Sequence, residues 1–179
     1  MKIKLEDSIV LVVDIQERLL PAMSDSDKVL ENNLTFLRGI TTLEVPVVYT
    51  EQYPKGLGKT VDPVLNVIPE AKYFEKIQFS SLEEEVCTYL KESGRNTVLV
   101  CGIESHVCVL QTIMDLVEAG FKPVLISDCT SSRKESDKTY AIVRAGAEGA
   151  IISSYESVLF ELMKTAKHPK FREISKIVK

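Results

Sequence analysis

Cys108 stands at a position where a thiol can act as a nucleophile. It follows the charge-free run 97–101 and Gly102, at the start of a segment with the three-and-four apolar spacing of a helix. The first turn of a helix has unpaired backbone N–H groups and a dipole that favours an anion. We therefore expect the thiol to be biased towards the thiolate, the form that attacks carbonyl carbon. Ser105 is the predicted N-cap of this helix.

Two ionisable side chains accompany this cysteine at the ends of other apolar segments. Asp14 follows the charge-free run 8–13, and Lys76 lies between aromatic and aliphatic neighbours. Each of the three also has an ordinary structural explanation. Cys108 could be a small hydrophobe, Asp14 a turn-stabilising or N-cap acid, and Lys76 an exposed lysine beside a strand. Chemistry therefore requires that the fold bring these three side chains together.

Strands and helices are predicted to alternate along the chain. Apolar, β-branched runs predict strands near 8–13, 46–50, 71–74, 97–101, 122–127 and 149–152. Three-and-four apolar spacing predicts helices near 25–43, 81–93, 105–119, 135–146, 154–165 and 170–178. This alternation predicts an α/β fold, a three-layer α/β/α sandwich around a central, mainly parallel six-stranded sheet. We expect residues 1–179 to form one domain.

Three segments of the chain resemble the isochorismatase-like cysteine hydrolases, which include nicotinamidases and carbamoylsarcosine amidohydrolases. They are residues 12–16 (VVDIQ), Lys76 followed by residues 79–80 (FS), and residues 102–108 (GIESHVC), in the family's order and spacing. The resemblance covers essentially the whole chain and implies a Rossmann-like fold. The loop 50–58 and His168 with the following proline look most similar to the isochorismatase domain-containing branch, for which the resemblance implies a hydrolase without a settled substrate.

The resemblance implies a role for each of the three reactive side chains. Asp14, Lys76 and Cys108 would form a catalytic triad in which the lysine favours the thiolate and the aspartate moves protons. The family also has a cis peptide bond before the cysteine, here between Ile103 and Glu104, which would turn the backbone N–H groups of Glu104 and Cys108 towards an oxyanion. The side chains expected to bind substrate are those of Gln16, Gln52, Tyr53, Ile103 and His106. His106 could instead simply fill the first helical turn.

The presence of a thiol favours one reaction over another. A cysteine suits acyl transfer through a thioester, so hydrolysis of an amide or related C–N bond ranks ahead of isochorismatase-type vinyl ether hydrolysis, which needs no thiol. Two further candidates are a catalytically quiet interaction protein and a thiol redox protein, both on the same fold. The redox candidate lacks a Cys-x-x-Cys motif.

A metal or other cofactor is not expected. Metal-dependent nicotinamidases carry two histidines in the loop after the second strand, whereas residues 51–62 contain none. Only His106 and His168 occur in the chain, too few for a typical zinc or iron centre. The irregular segment 51–70 is predicted to be a lid or a subunit contact, and an ordinary surface loop is the alternative.

Composition narrows the expected partners and location. The chain has 179 residues, 45% of them hydrophobic, which is enough to form an apolar core. Its formal net charge is −4, and it has no basic stripe that would bind a nucleic acid. We expect a small-molecule substrate, no membrane span or signal peptide, and a cytoplasmic location. The resemblance implies a homo-oligomer, a dimer or larger. Cys87, Cys101 and Cys129 are predicted to be packing residues, although Cys129 could instead line a pocket.

Overall fold

Six parallel strands form one sheet in the computed structural model, which describes residues 2–179. The strand order across the sheet is β3-β2-β1-β4-β5-β6, and every neighbouring pair is parallel. The strands are Ser8–Val13 (β1), Val47–Gln52 (β2), Lys72–Lys76 (β3), Thr97–Ile103 (β4), Lys122–Ser131 (β5) and Ile151–Ser153 (β6). The prediction of a mainly parallel, six-stranded sheet is confirmed.

Helices connect the strands. They are Ser26–Thr42 (α1), Pro54–Leu57 (α2), Asp62–Val67 (α3), Glu84–Glu92 (α4), Leu110–Glu118 (α5), Glu135–Ala147 (α6), Tyr155–Met163 (α7) and Phe171–Ile177 (α8). Short 3₁₀ turns span Leu5–Asp7 and Leu20–Ala22, and Ser105–Val109 is a π-helical turn that leads into α5. None of the helices within residues 2–179 is long and apolar enough to cross a membrane.

The two faces of the sheet bury separate apolar cores, because side chains alternate along a strand. Val10 and Val12 of β1 pack on the face covered by α1, α3, α7 and α8. Ile9, Leu11 and Val13 pack on the face covered by α4, α5 and α6. Strands buried on both faces read as continuous apolar runs, which is why β1 and β4 are recognisable in the sequence. The expected three-layer sandwich is thus confirmed.

The order of the strands reverses between β1 and β4. β1 leads outwards to β2 and β3 on one side, while β4 leads to β5 and β6 on the other. In open parallel sheets of this kind, ligands bind in the crevice outside the carboxyl ends of the strands at such a reversal. Asp14 directly follows β1, and the π-helical turn with Cys108 follows β4. The topology therefore brings two of the three candidate residues to one crevice.

Gly102 lets the ends of β1 and β4 approach closely. It pairs with Val13 across the two strands and has a φ of +111°. A Cβ atom at this position would collide with the carbonyl oxygen of Val13, so no other residue fits here without a shift of the backbone. The close spacing of the two strand ends thus depends on glycine having no side chain.

Some predicted element boundaries are wrong. β5 continues to Ser131 rather than 127, so Cys129 lies inside a strand and is fully buried in the core. The suggestion that Cys129 lines a pocket is therefore wrong. The segment 105–119 begins with a π-helical turn rather than with an α-helix. Ser105 does not cap it, because its hydroxyl forms a hydrogen bond with Thr130 Oγ1 at 2.7 Å.

Candidate active site

A buried ion pair joins Lys76 and Asp14. The distance between Lys76 Nζ and Asp14 Oδ2 is 2.6 Å, and both side chains are fully buried. Lys76 ends β3 and Asp14 follows β1, so the lysine reaches past β2 to make this contact. The ammonium also donates to Gln52 Oε1 at 2.7 Å and to the carbonyl oxygens of Gln78 at 3.1 Å and Phe79 at 2.9 Å. A buried charge is tolerated only when it is paired in this way.

The second carboxylate oxygen of Asp14 is held by a hydroxyl. Thr50 Oγ1 donates to Asp14 Oδ1 at 2.8 Å. Burial raises the pKa of Asp14 from its ordinary value, while Lys76, Thr50 and Cys108 all lower it. The group is thus a carboxylate fixed in position, with a pKa raised towards the range where it can accept and return a proton.

The Cys108 thiol lies beside this carboxylate. Burial, together with the charge of Asp14, raises the pKa of Cys108 to about 12, although Lys76 and the Glu104 backbone N–H act in the opposite direction. The expected bias towards the thiolate is therefore wrong. The physical reason is that the sulfur is buried beside the negative charge of Asp14, and these two effects outweigh the charge of Lys76.

The backbone at Glu104 faces the sulfur. The Ile103–Glu104 peptide bond is cis. The N–H of Glu104 acts on the Cys108 sulfur, where it lowers the pKa of the thiol. The side chain of Glu104 accepts a hydrogen bond from Arg133 Nε at 2.9 Å. This part of the chain therefore directs a backbone donor at the candidate nucleophile.

Two glutamines predicted to bind substrate have different environments. Gln52 is in the site, because its Oε1 accepts a hydrogen bond from Lys76. Gln16 is fully buried, and its Nε2 donates to the carbonyl oxygens of Gln52 at 3.0 Å and Gly58 at 2.7 Å. Its Oε1 accepts from the Gln52 backbone N–H at 2.7 Å. Gln16 therefore fixes the loop after β2, and its polar atoms are already engaged.

The other three residues predicted to bind substrate form no side-chain hydrogen bond with the ion pair. Tyr53 is half-exposed with a φ of 38°. The side chain of Ile103 is fully buried in the core, which leaves only its backbone for a ligand. His106 Nδ1 lies 2.9 Å from Ser132 Oγ, and its Nε2 lies 3.9 Å from Asp137 Oδ2. In the part of the chain that the structure describes, none of these three side chains bonds to Asp14, Lys76 or Cys108.

Three hydroxyls near the site were not predicted from the sequence. They belong to Thr50, Ser81 and Thr112, which are all buried. Thr112 Oγ1 donates to the carbonyl oxygen of Cys108 at 2.6 Å, and Thr50 bonds to Asp14. Thr112 could have been identified from the sequence, because it is a polar residue on the apolar face of the predicted helix that carries Cys108.

Access to the candidate site is narrow. Asp14 and Lys76 have 0% and 1% of their surface exposed, and Cys108 has 5%. A cavity of about 470 Å³ opens at the opposite edge of the sheet, where Pro46 and Ala71 precede β2 and β3. That cavity contains none of the candidate reactive residues.

The other cysteines of the described residues are packing residues without a disulfide partner. All four cysteines are free, and Cys101 is fully buried in the core, so its predicted packing role is confirmed. Cys87 is half-buried and packs against the second core. Across residues 2–179 no group of three or more histidine, cysteine, aspartate or glutamate side chains is arranged to hold a metal ion.

Comparison with known proteins agrees with this fold. Residues 8–157 match the isochorismatase domain, and the chain belongs to the isochorismatase family. It is 39% identical to isochorismatase domain-containing protein 1 of Danio rerio over 96% of this chain and 61% of that protein. It is 36% identical to isochorismatase family protein 1B of Dictyostelium discoideum over 99% of this chain and 89% of that protein. The chain thus spans less than two thirds of the zebrafish relative.

A solved structure is also very similar. The structure described as MAR1 ribonuclease from Caenorhabditis elegans superposes with a TM-score of 0.95, at 32% identity, over 99% of this chain and 92% of that chain. The predicted membership of this family is thus confirmed by the domain match, the relatives and the structure together. Members of this superfamily are generally hydrolases.

Proposed function

We propose that the protein hydrolyses a C–N bond of a small amide through a thioester on Cys108. The observation that carries this proposal is the placement of a buried carboxylate, Asp14, between an ammonium and a thiol. A thiol whose pKa is raised to about 12 stays protonated near neutral pH, so it needs an adjacent base to become a nucleophile. Asp14 occupies that position.

The first half-reaction forms the thioester. Asp14 takes the proton of Cys108 as the sulfur attacks the amide carbon, and the carbonyl oxygen becomes an oxyanion. The N–H groups of Glu104 and Cys108 would stabilise that charge, a contribution of about 3 kcal/mol for a well-placed donor. When the oxyanion collapses, the C–N bond breaks, and Asp14 returns its proton to the leaving nitrogen. Lys76 keeps Asp14 in place throughout.

The second half-reaction restores the protein. Water attacks the thioester carbon while Asp14 accepts a proton from it. The C–S bond then breaks, the carboxylic acid leaves, and the proton held by Asp14 returns to the Cys108 sulfur. The net reaction is amide plus water to carboxylic acid plus amine, so no oxidant or cofactor enters the balance.

A panel of small amides and ureides, followed by ammonia release, tests the proposal. With a turned-over substrate we expect Cys108→Ala to lose at least about 1,000-fold in kcat/KM, because the nucleophile is gone. Cys87→Ala is the matched control, since Cys87 lies on α4 and is not among the groups that act on the Asp14 carboxyl. Its kcat/KM should stay within about twofold of that of the unmodified protein. Full activity of Cys108→Ala on that substrate would contradict a thioester on Cys108.

Ribonuclease activity is the second candidate, because the similar Caenorhabditis elegans structure carries that description. The formal net charge of −4 does not favour a phosphate backbone, and the reacting groups of this chain are almost fully buried. A labelled RNA in the same assay distinguishes the two candidates. Cleavage that survives Cys108→Ala would replace the amide proposal.

We also propose that the protein assembles as a homo-oligomer. Large apolar side chains are exposed around the end of β3 and in the preceding loop, including Tyr53 at 51%, Ile77 at 65% and Phe79 at 56%. Contiguous exposed apolar surface often marks an interface. Light scattering at micromolar concentration should give a mass of two or more copies, and Ile77→Ser with Phe79→Ser should lower it. A strictly monomeric mass of the unmodified protein would contradict this proposal.

A further inference from the structure

A chain of buried hydrogen bonds runs from the candidate base to the candidate nucleophile. Thr50 lies on β2, one strand away from Asp14, and is 1% exposed. Its hydroxyl contacts Asp14 Oδ1 at 2.8 Å and Ser81 Oγ at 3.0 Å. The Ser81 backbone N–H donates to Thr112 Oγ1 at 2.8 Å, and Thr112 donates to the carbonyl oxygen of Cys108 at 2.6 Å.

Donor and acceptor rules fix the direction of these bonds. An ionised carboxylate only accepts, so the single proton of the Thr50 hydroxyl points at Asp14. The Ser81 hydroxyl must then donate to Thr50, because that oxygen has no second proton to give. Two hydroxyls in series therefore point towards the carboxylate. Such aligned hydrogen bonds polarise each other in a low-dielectric interior.

The arrangement leaves the two oxygens of Asp14 with different tasks. Oδ1 is held by Thr50, and Oδ2 forms the ion pair with Lys76. Oδ2 accepts no well-formed hydrogen bond from another side chain within residues 2–179. The remaining polar group that acts on the carboxyl is the Cys108 thiol, from the π-helical turn after β4. The thiol therefore acts on the same carboxyl group that Thr50 and Lys76 hold.

We propose that Thr50 is a positioning residue for the general base, Asp14. Its hydroxyl holds Oδ1 so that Oδ2 faces Lys76, and the Ser81 hydroxyl donates in turn to Thr50. This inference rests on the proposed function for its catalytic meaning, but its hydrogen-bond basis does not. Thr50 does not touch a reacting atom. It acts by stabilising the ionised form of Asp14 and by fixing the rotation of the carboxyl group.

Few charged or titratable groups face Asp14, so a change in its pKa can be assigned to the substituted residue. They are Lys76 from β3 and Cys108 from the π-helical turn. Thr50 lowers the pKa of Asp14, so its loss should raise that pKa. Since the ionised carboxylate is the base, activity is lost as pH falls through the pKa of Asp14. A higher pKa therefore moves the acid limb of the pH–rate profile to higher pH.

The test compares three threonine variants. Thr50→Val keeps the shape and removes the hydroxyl, and we expect about a tenfold loss of kcat/KM on the acid limb, with an alkaline plateau within about threefold of the unmodified protein. Thr50→Ser keeps the hydroxyl and should restore the acid limb. Thr60→Val is the matched control, because Thr60 is 1% exposed and its hydroxyl is buried without a partner. It should leave the pH profile unchanged.

A second readout needs no substrate. Infrared difference spectra during acid titration report the C=O band of a protonated carboxyl group, and the band of Asp14 is identified by its loss in Asp14→Asn. In Thr50→Val the midpoint of this band should move to higher pH, and Thr50→Ser should return it. An unmoved midpoint in folded Thr50→Val overturns the inference. A moved midpoint without any amide turnover would support the role of Thr50 and count against the proposed reaction only.

Discussion

Replacing Asp14 by Asn should lower kcat/KM by about 100- to 10,000-fold while increasing the thiolate fraction of Cys108. The two effects have one cause. The negative charge of Asp14 raises the pKa of the thiol and Lys76 lowers it, so removing that charge leaves the ammonium facing the sulfur. The variant gains thiolate but loses the group that returns a proton to the leaving nitrogen. Lys76 keeps its three other acceptors, which limits the cost to folding.

The thiolate is measured by its ultraviolet absorbance as pH is raised, with Cys108→Ala subtracted. Glu51→Gln is the matched control, because Glu51 is a buried acid on β2 that accepts a hydrogen bond from the Thr60 backbone N–H. That control changes net charge equally and should leave the titration of Cys108 unmoved. If Asp14→Asn lost activity without a lower pKa of Cys108, Asp14 would not act on the thiol. That result would contradict the proposed mechanism.

Replacing Lys76 by Met should destabilise the folded protein by about 3 to 5 kcal/mol near neutral pH. The reason is that Asp14 stays fully buried and loses its cation. Lys76 lowers the pKa of Asp14 more than any other neighbour, so the folded-state pKa rises further above the unfolded value of 3.8. A raised carboxyl pKa means that the folded state binds the proton more tightly. The lost stability should therefore return in part as pH falls through that raised pKa.

Urea unfolding at neutral and acidic pH measures this effect, and two further variants sharpen it. The double variant Asp14→Asn with Lys76→Met should be more stable than Lys76→Met alone, because no buried charge remains. Lys28→Met breaks the exposed pair of Lys28 and Glu31, whose atoms are 3.2 Å apart, and should change stability by about 1 kcal/mol or less. Equal stability of Lys76→Met and the unmodified protein at neutral pH would contradict a buried charged pair.

The fold could be predicted from the sequence largely because of its buried strands. Residues 8–13 are predicted and observed as a strand with the same bounds. A short charge-free run of this kind is typical of a strand that is buried on both faces of a sheet. The end of β5 could not be predicted because Asp128, Thr130 and Ser131 read as a loop. In the structure Thr130 and Ser131 pair with Gly102 and Ile103 beyond a register shift. Pairing partners of this kind are distant in sequence, so no local pattern reveals them.

The site was predictable in its residue types but not in its electrostatics. Asp14 and Cys108 follow apolar strands, which placed them at one edge of the sheet. The direction of the pKa shift of Cys108 could not be predicted, because it depends first on how deeply the fold buries the sulfur and then on the nearby charge of Asp14. The role of Thr50 is hidden in the sequence for a similar reason. A hydroxyl at the end of a strand has no special meaning until its partner across the sheet is known.

The close approach at Gly102 limits which sequences can adopt this fold. Gly94 and Gly120 also have positive φ angles, yet a Cβ atom on either would meet nothing within 4 Å. Those two positions can accept residues that tolerate a left-handed backbone, such as asparagine. At Gly102 every other amino acid adds an atom that collides with the Val13 backbone, which cannot rotate away as a side chain would. In a saturation library selected for folded protein, position 102 should therefore be the most restricted of these three glycines.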